Sequence, residues 1–283
     1  MSMLLRGAPA AAALNEKTAQ LVSGLREKGV VPTLAIVRLG AREDDLSYER
    51  AAVKRCAAVG IETRCVSLPE NVSGEALEET LRSLSADASA HGILLLRPLP
   101  AALDEARILR AIVPEKDVDG AEGSLAAVYA GTDEGFAPCT AQAVLELLDY
   151  YEIPIEGKRA VVLGRSLVVG RPAAMLLLHR GATVTLCHSK TENAAGLARK
   201  ADILVAAAGR RESVGAAYFR AGQTVIDVGI HYNEETQKLC GDVALAEADG
   251  VVRAVTPVPG GVGALTTAVL AAHTAKAAAR RIK

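Results

Sequence analysis

The sequence predicts an α/β protein of two domains, each built around a parallel sheet. Three observations lead there. Short runs rich in β-branched residues alternate with segments of helical period, the pattern of βαβ units. The alternation pauses near residue 98 and resumes near 141, which divides the chain in two. At 283 residues, half of them hydrophobic, the chain is long enough to bury the core of one large or two medium domains.

The first strand is expected at 33–39, where TLAIVRL is almost wholly apolar, as a strand buried on both faces must be. A helix near 44–59 leads to strands at 62–68 and 92–96, with a second helix near 73–86 between them. From 98 to 138 the chain is rich in Pro, Gly, Asp and Glu and reads as loop. A helical stretch near 141–151 opens the second series, with strands at 159–163, 183–187, 203–207 and 224–228. The tail, 266–280, is Ala-rich and helical. No internal repeat or low-complexity tract interrupts this order.

The charge balance excludes several function classes. Lys and Arg number 32 against 33 Asp and Glu, so no basic field draws nucleic acid or an acidic membrane. Aromatics are 3% with no Trp, which leaves few platforms for stacking single-stranded bases. The five cysteines, at 56, 65, 139, 187 and 240, are widely spaced and read as reduced thiols. No apolar run approaches the roughly 18 residues of a membrane span. The N-terminus lacks the basic-then-apolar order of a secretory signal, and the expected location is the cytoplasm. None of the five histidines has metal-ligand spacing, so no metal is expected.

The sharpest local signal is RAVVLGRSLVVGRPAAMLLLHRGATVTLCHSKT at 159–191. A buried strand runs into Gly164, and after a tight loop Gly170 and Pro172 open a helix. Glycines there let backbone approach a phosphate, while the helix N-terminus offers unpaired N–H groups. Ser166 stands where the second Gly of G-x-G-x-x-G would be, so a plain βαβ turn is the structural alternative. The next strand ends in His188, Ser189 and Lys190 instead of the acidic residue that meets an NAD ribose. That basic, hydroxyl-rich end, with Arg165, suits a 2′-phosphate, and NADP is the expected cofactor. Lys190 alone would be a solvated charge.

The chain resembles the methylenetetrahydrofolate dehydrogenase/cyclohydrolases, usually called FolD, over nearly its whole length. The resemblance is carried by PTLAIVRLG, PEKDVDG, PCT, VVLGRSLVVGRP, ATVTLCHSKT, ADILVAAAG, TVIDVGI, GDV and TPVPGGVG in order. It implies an N-terminal αβα substrate domain, 1–139 with 267–283, and a Rossmann-like cofactor domain, 140–266, the last helix returning to the first domain. It also implies NADP-dependent oxidation of 5,10-methylenetetrahydrofolate, hydrolysis of the methenyl product in most members, and a homodimer. Residue by residue, Arg165, Ser166 and Ser189 fall on cofactor positions, as do Gly164, Gly170, Pro172, His188, Ala208, Gly209 and Thr256 of the same strings. Tyr48 falls on the substrate-site Tyr and Asp119 on the Asp that meets the pterin, and these two are the candidate catalytic pair. Pro257, Gly260 and Gly261 belong to the segment beside the folate. Without the resemblance, D-V-D-G is often a turn and Tyr48 a packing residue.

The family's active-site Lys lies four residues after the Tyr, and here that position is Ala52. Lys54 is turned roughly 200° away on a helix and reads as a surface charge. The Gln that supports the Lys is Leu96, so both members of one hydrogen-bonded pair are gone. Arg97 is a new cation that would point to the opposite face if the strand continued. The loops SLAAVYAG, PCTA and GVGALT also depart from the family strings. Asp227 and Asp242 read as structural.

Hydride loss from the methylene carbon is driven by the flanking nitrogen lone pairs and asks the protein mainly for positioning. Hydrolysis needs a general acid and base, which Ala52 is not. The sequence expectation is therefore a dehydrogenase whose cyclohydrolase activity is weak or lost. The alternatives are the full bifunctional enzyme, with Arg97 or a water chain in place of the Lys; a non-catalytic folate- or nucleotide-binding paralogue; and a dehydrogenase for another small substrate.

Overall fold

A computed structural model of the chain describes every residue except 133, 236 and 283, with 122 and 123 described by their backbone alone. In chain order the strands are β1 (Met3–Leu4), β2 (Thr33–Leu39), β3 (Glu62–Leu68), β4 (Gly92–Leu95), β5 (Arg159–Leu163), β6 (Thr183–Cys187), β7 (Ile203–Ala206), β8 (Thr224–Asp227), β9 (His231–Asn233), β10 (Lys238–Cys240) and β11 (Ala254–Val255). The helices are α1 (Gly7–Glu27), α2 (Glu43–Ala58), α3 (Gly74–Ala86), α4 (Glu105–Leu109), α5 (Glu122–Ala130), α6 (Cys139–Tyr150), α7 (Gly170–His179), α8 (Ala194–Ala198), α9 (Leu245–Ala248) and α10 (Thr266–Ala279). The fold is α/β. The chain forms two compact units, one of Met1–Ala13 and Thr140–Thr266, the other of Leu14–Cys139 and Thr267–Lys283.

The first unit is built on a six-stranded parallel sheet in the order β1-β11-β8-β7-β5-β6. Its central strands β5, β7 and β8 are buried almost throughout, which is why they read as unbroken apolar runs. Residues 1–13, expected in the N-terminal domain, belong here instead. Met3 and Leu4 pair with Ala254 and Val255, and the Leu5 N–H donates to the Val255 carbonyl at 2.9 Å. A two-residue strand has no periodicity of its own, and only this tertiary pairing makes it a strand. An antiparallel hairpin of β9 and β10 lies outside the main sheet.

The second unit holds a three-stranded parallel sheet in the order β3-β2-β4. Strand β2, in the middle, presents Ala35, Val37 and Leu39 to a core completed by Leu77, Leu81 and Leu84, the apolar stripe of α3. Ser73 starts that helix by accepting the Ala76 N–H on its hydroxyl at 3.2 Å. Helix α2 begins with Glu43, Asp44 and Asp45, charges that suit its positive N-terminus, and buries Ala52 and Cys56. The stretch 98–138, expected to be loop, holds α4 and α5, for SLAAVYA is a good helix former closed by Gly131 at φ +71°. The tail helix α10 returns to this unit. His273, fully buried on it, donates from Nδ1 to the Val118 carbonyl at 2.9 Å, and burial holds this imidazole down to about 3, so it stays neutral.

Candidate functional site

The sequence forces a close backbone approach at the end of β5. Gly164 has φ +115°, a region closed to other residues, and a Cβ there would overlap the Ala207 carbonyl oxygen and sit 2.6 Å from its carbon. Gly170 opens α7 under the same constraint, since its Cβ would sit 2.5 Å from the Gly164 carbonyl carbon. Between them Ser166 turns its hydroxyl oxygen inward to accept the Val169 and Gly170 N–H groups at 3.2 and 3.3 Å. Pro172 is buried in the first turn of the helix, where its missing N–H costs nothing. Gly170 and Pro172 thus build the loop without lining the space above it.

That space is a cleft of about 630 Å³ over the carboxyl ends of β5, β6, β7 and β8. The chain runs from β5 to β6 on one side and then to β7 on the other. The cleft therefore sits at the point where strand order reverses, the place where open parallel sheets hold ligands. Of the residues singled out from sequence, Gly164, Arg165, Ser166, His188, Ser189, Ala208 and Gly209 line it together. His188 is tied into its turn, its Nδ1 accepting the Lys190 N–H at 3.1 Å. Thr256 is not on the cleft. Its hydroxyl oxygen accepts the Asp227 N–H at 2.6 Å, and the side chain is buried beside β8.

Sequence reasoning missed the other wall of the cleft. Asp242, read as structural, has no exposure and accepts from Gly209 N at 3.0 Å, Arg210 N at 2.9 Å and His231 Nε2 at 2.8 Å. It lines the cleft with His231 and Arg210. Behind it Asp227 accepts from Gly229, Asp242 and Val243 N–H groups at 2.9 to 3.0 Å, yet burial still pushes its carboxyl up to about 6. Pro257, Gly260 and Gly261 follow β11. Gly260 has φ +99°, its carbonyl accepts the Gly7 N–H at 2.8 Å, and a Cβ on Gly261 would sit 2.5 Å from the Pro257 carbonyl oxygen. Side chains there would break the turn.

Tyr48 and Asp119 belong to the second unit. Tyr48 is half-buried on α2, one turn before Ala52, which has no exposure at all. Leu96 is buried, and Lys54 is exposed as expected. Asp119 accepts the Cys139 N–H on Oδ1 at 3.3 Å, and its Oδ2 lies 3.4 Å from Arg97 Nη2. The condition under which Arg97 would turn away, a strand that continues, is not met. Strand β4 ends at Leu95 and Pro98 has no N–H to extend it, so strand alternation does not govern residue 97. The neighbouring Asp117 is deeply buried, and burial, reinforced by the charge of Asp119, pushes its carboxyl up to about 6. Lys116 spans the base of the loop, fully buried, donating to the Leu84 and Asp87 carbonyls at 2.9 and 2.6 Å. Burial lowers this ammonium to about 8.

Among the described residues, no helix is long and apolar enough to cross a membrane, and no group of three His, Cys, Asp or Glu could hold a metal ion. A phosphate-scale cradle of backbone at Gly164, a helix N-terminus above it and a cleft of this volume fit a dinucleotide.

Comparison with known proteins points the same way. Residues 5–119 match the family described as tetrahydrofolate dehydrogenase/cyclohydrolase, catalytic domain, and residues 138–282 match its NAD(P)-binding domain. The chain is 50% identical over 279 residues to the bifunctional protein FolD of Carboxydothermus hydrogenoformans, covering 98% of this chain and 97% of that one. It superposes on the crystal structure of the bifunctional FolD enzyme of Campylobacter jejuni with a TM-score of 0.95 at 37% identity, covering 99% and 100% of the two chains. It also matches the Trypanosoma brucei FolD structure, complexed with NADP cofactor and inhibitor, with a TM-score of 0.91 at 35% identity over 100% and 99%. The chain belongs to the tetrahydrofolate dehydrogenase/cyclohydrolase family.

Proposed function

We propose that the protein oxidises 5,10-methylenetetrahydrofolate to the 5,10-methenyl form with NADP and then hydrolyses it to 10-formyltetrahydrofolate. The observation that carries the first half is the cleft at the strand-order reversal, with its glycine cradle and no acidic residue at the end of β6. Bound NADP supplies the hydride acceptor. Gly164 and Ser166 would set the backbone against the phosphates, and Arg165, His188 and Ser189 would meet the 2′-phosphate in place of a carboxylate. Tyr48 and Asp119 would orient the folate, with the Asp119 carboxylate accepting from pterin N–H groups. The two folate nitrogens stabilise the cation that hydride loss leaves behind, so this step asks the chain for positioning more than proton transfer.

The second half rests on likeness. A relative 50% identical over almost its whole length carries the name bifunctional, which favours hydrolysis at this site and weighs against the sequence expectation of a weak or lost cyclohydrolase. One observation keeps that second reading in play. Ala52 is fully buried on the core face of α2, and a methyl group there moves no proton. A cytoplasmic homodimer is part of the same proposal.

Two assays on the purified protein separate these readings. Absorbance with methylenetetrahydrofolate and each cofactor in turn should show NADPH formation faster than NADH formation. Methenyltetrahydrofolate followed alone should disappear in an enzyme-dependent way. Hydrolysis no faster than in buffer, with dehydrogenation intact, would leave the dehydrogenase alone. Binding of NADP and folate without turnover would reduce the protein to a binding paralogue.

A further inference from the structure

We infer that Arg97 is a specificity-determining residue of the folate site, reading the 4-oxo group of the pterin beside the acceptor Asp119. The inference rests on the proposed folate reading and deepens it. Arg97 and Asp119 stand at the carboxyl end of the parallel sheet β3-β2-β4, the end at which such sheets bind ligands. The guanidinium Nη2 lies 3.4 Å from Asp119 Oδ2, and Nη1 lies 3.9 Å from Glu105, an ion-pair distance too long for a hydrogen bond. One of five N–H groups is thus directed at Asp119, and the fork retains others. Neither side chain is sealed in, with exposures of 20% and 27%.

The juxtaposition offers a donor and an acceptor side by side, both charged and both oriented. Asp119 is held from the far side by the Cys139 N–H at 3.3 Å. The 2-amino-4-oxo edge of a pterin offers the complement: N–H donors at N3 and the 2-amino group, and an acceptor at O4. A carboxylate can take the donors while a guanidinium N–H donates to O4. Replacing the 4-oxo group by an amino group points N–H at N–H, and a site built to donate rejects such an analogue strongly.

The test compares tetrahydrofolate with its 4-amino analogue, binding each to wild type, Arg97→Leu and Arg97→Lys by calorimetry, with NADPH binding as the measure of an intact cofactor site. Wild type should bind the 4-oxo compound at least about tenfold more tightly than the 4-amino compound. Arg97→Leu should lose most of that ratio while binding NADPH normally, and Arg97→Lys, with charge but no planar fork, should fall between. An unchanged ratio in both variants, with the wild type turning over methylenetetrahydrofolate, overturns the role of Arg97 and leaves the proposed function standing. A wild type with no folate-dependent NADPH formation overturns both. Should Arg97→Leu fail to fold, Arg97→Lys decides alone, since the wild-type ratio in a folded Lys variant excludes the fork.

Discussion

Gly164→Ala is the perturbation for which the structure gives the clearest magnitude. The new methyl would sit 2.6 Å from the Ala207 carbonyl carbon, where ordinary carbon contacts are about 3.5–4.0 Å, so the two backbones must separate by roughly 1 Å. Separation strains the Ala207 N–H bond to the Leu163 carbonyl, now 2.8 Å, a ladder bond worth about 1 kcal/mol. Forcing alanine to φ +115° adds about 1–2 kcal/mol. With the residual overlap, a loss of about 3–4 kcal/mol follows, near the upper end for single substitutions. For a unit of this size that lowers Tm by roughly 10 °C. The phosphate-facing backbone moves with it, so NADPH affinity should fall at least about tenfold. Gly209→Ala is the control: it lines the same cleft at φ +66°, but nothing lies within 4 Å of its Cβ, leaving only about 1 kcal/mol of strain. Thermal unfolding and NADPH titration of both variants decide the matter. Equal shifts in the two would refute the contact between Gly164 and Ala207 as the reason for glycine.

Two further outcomes are expected. His273 stays neutral in the fold down to about pH 3 but takes a proton below about 6.5 when unfolded, so its contribution to stability is present above 6.5 and shrinks as pH falls, by roughly 2 kcal/mol at pH 5. Asp117 and Asp227, raised to about 6, act in the opposite sense between about 4 and 6, so the measurement is the difference in urea stability between wild type and His273→Gln at pH 7 and pH 5, and an identical pH dependence in the two proteins would remove His273 as the cause. Ala52→Lys should cost about 2–4 kcal/mol, because an ammonium enters a position with no exposure, and Leu96→Gln in the same chain should recover at least about 1 kcal/mol of that; strictly additive effects in the thermal unfolding of the four proteins would mean that positions 52 and 96 do not form a pair.

What the sequence made legible follows from local physics. Strands β2, β5 and β6 were readable to the residue because each is an apolar or β-branched run stopped by Gly or a polar turn, and the mixed run ETRCVSL of β3 is bounded by Gly60 and Pro69. Strands β1 and β11 span two residues each and exist only through each other and β8, a dependence no local pattern records. The glycine cradle and the basic end of β6 were equally readable, since a tight turn and a missing carboxylate are properties of neighbouring residues. The wall formed by Asp242 was not, because its partners Gly209 and Arg210 lie 33 and 32 residues away. The side taken by Arg97 was left open for a different reason. Alternation decides its side only in a strand that continues, and β4 stops at Leu95.

The departures at 52, 96 and 97 make sense as one electrostatic change. The resemblance removes an ammonium at 52, and the structure fills that position with a buried methyl and position 96 with a buried leucine, so no unpaired polar group is left behind. A cation stands beside Asp119, supplied by Arg97. The chemistry is not equivalent to that of a lysine: an ammonium can give up its proton when buried, and a guanidinium in a protein does not. Positioning for the proposed hydride loss needs no proton from this position. Proton transfer is another matter: the proposed hydrolysis would have to draw its protons from water or from a carboxyl raised toward neutrality, and Asp117, pushed up to about 6, lies two residues from Asp119.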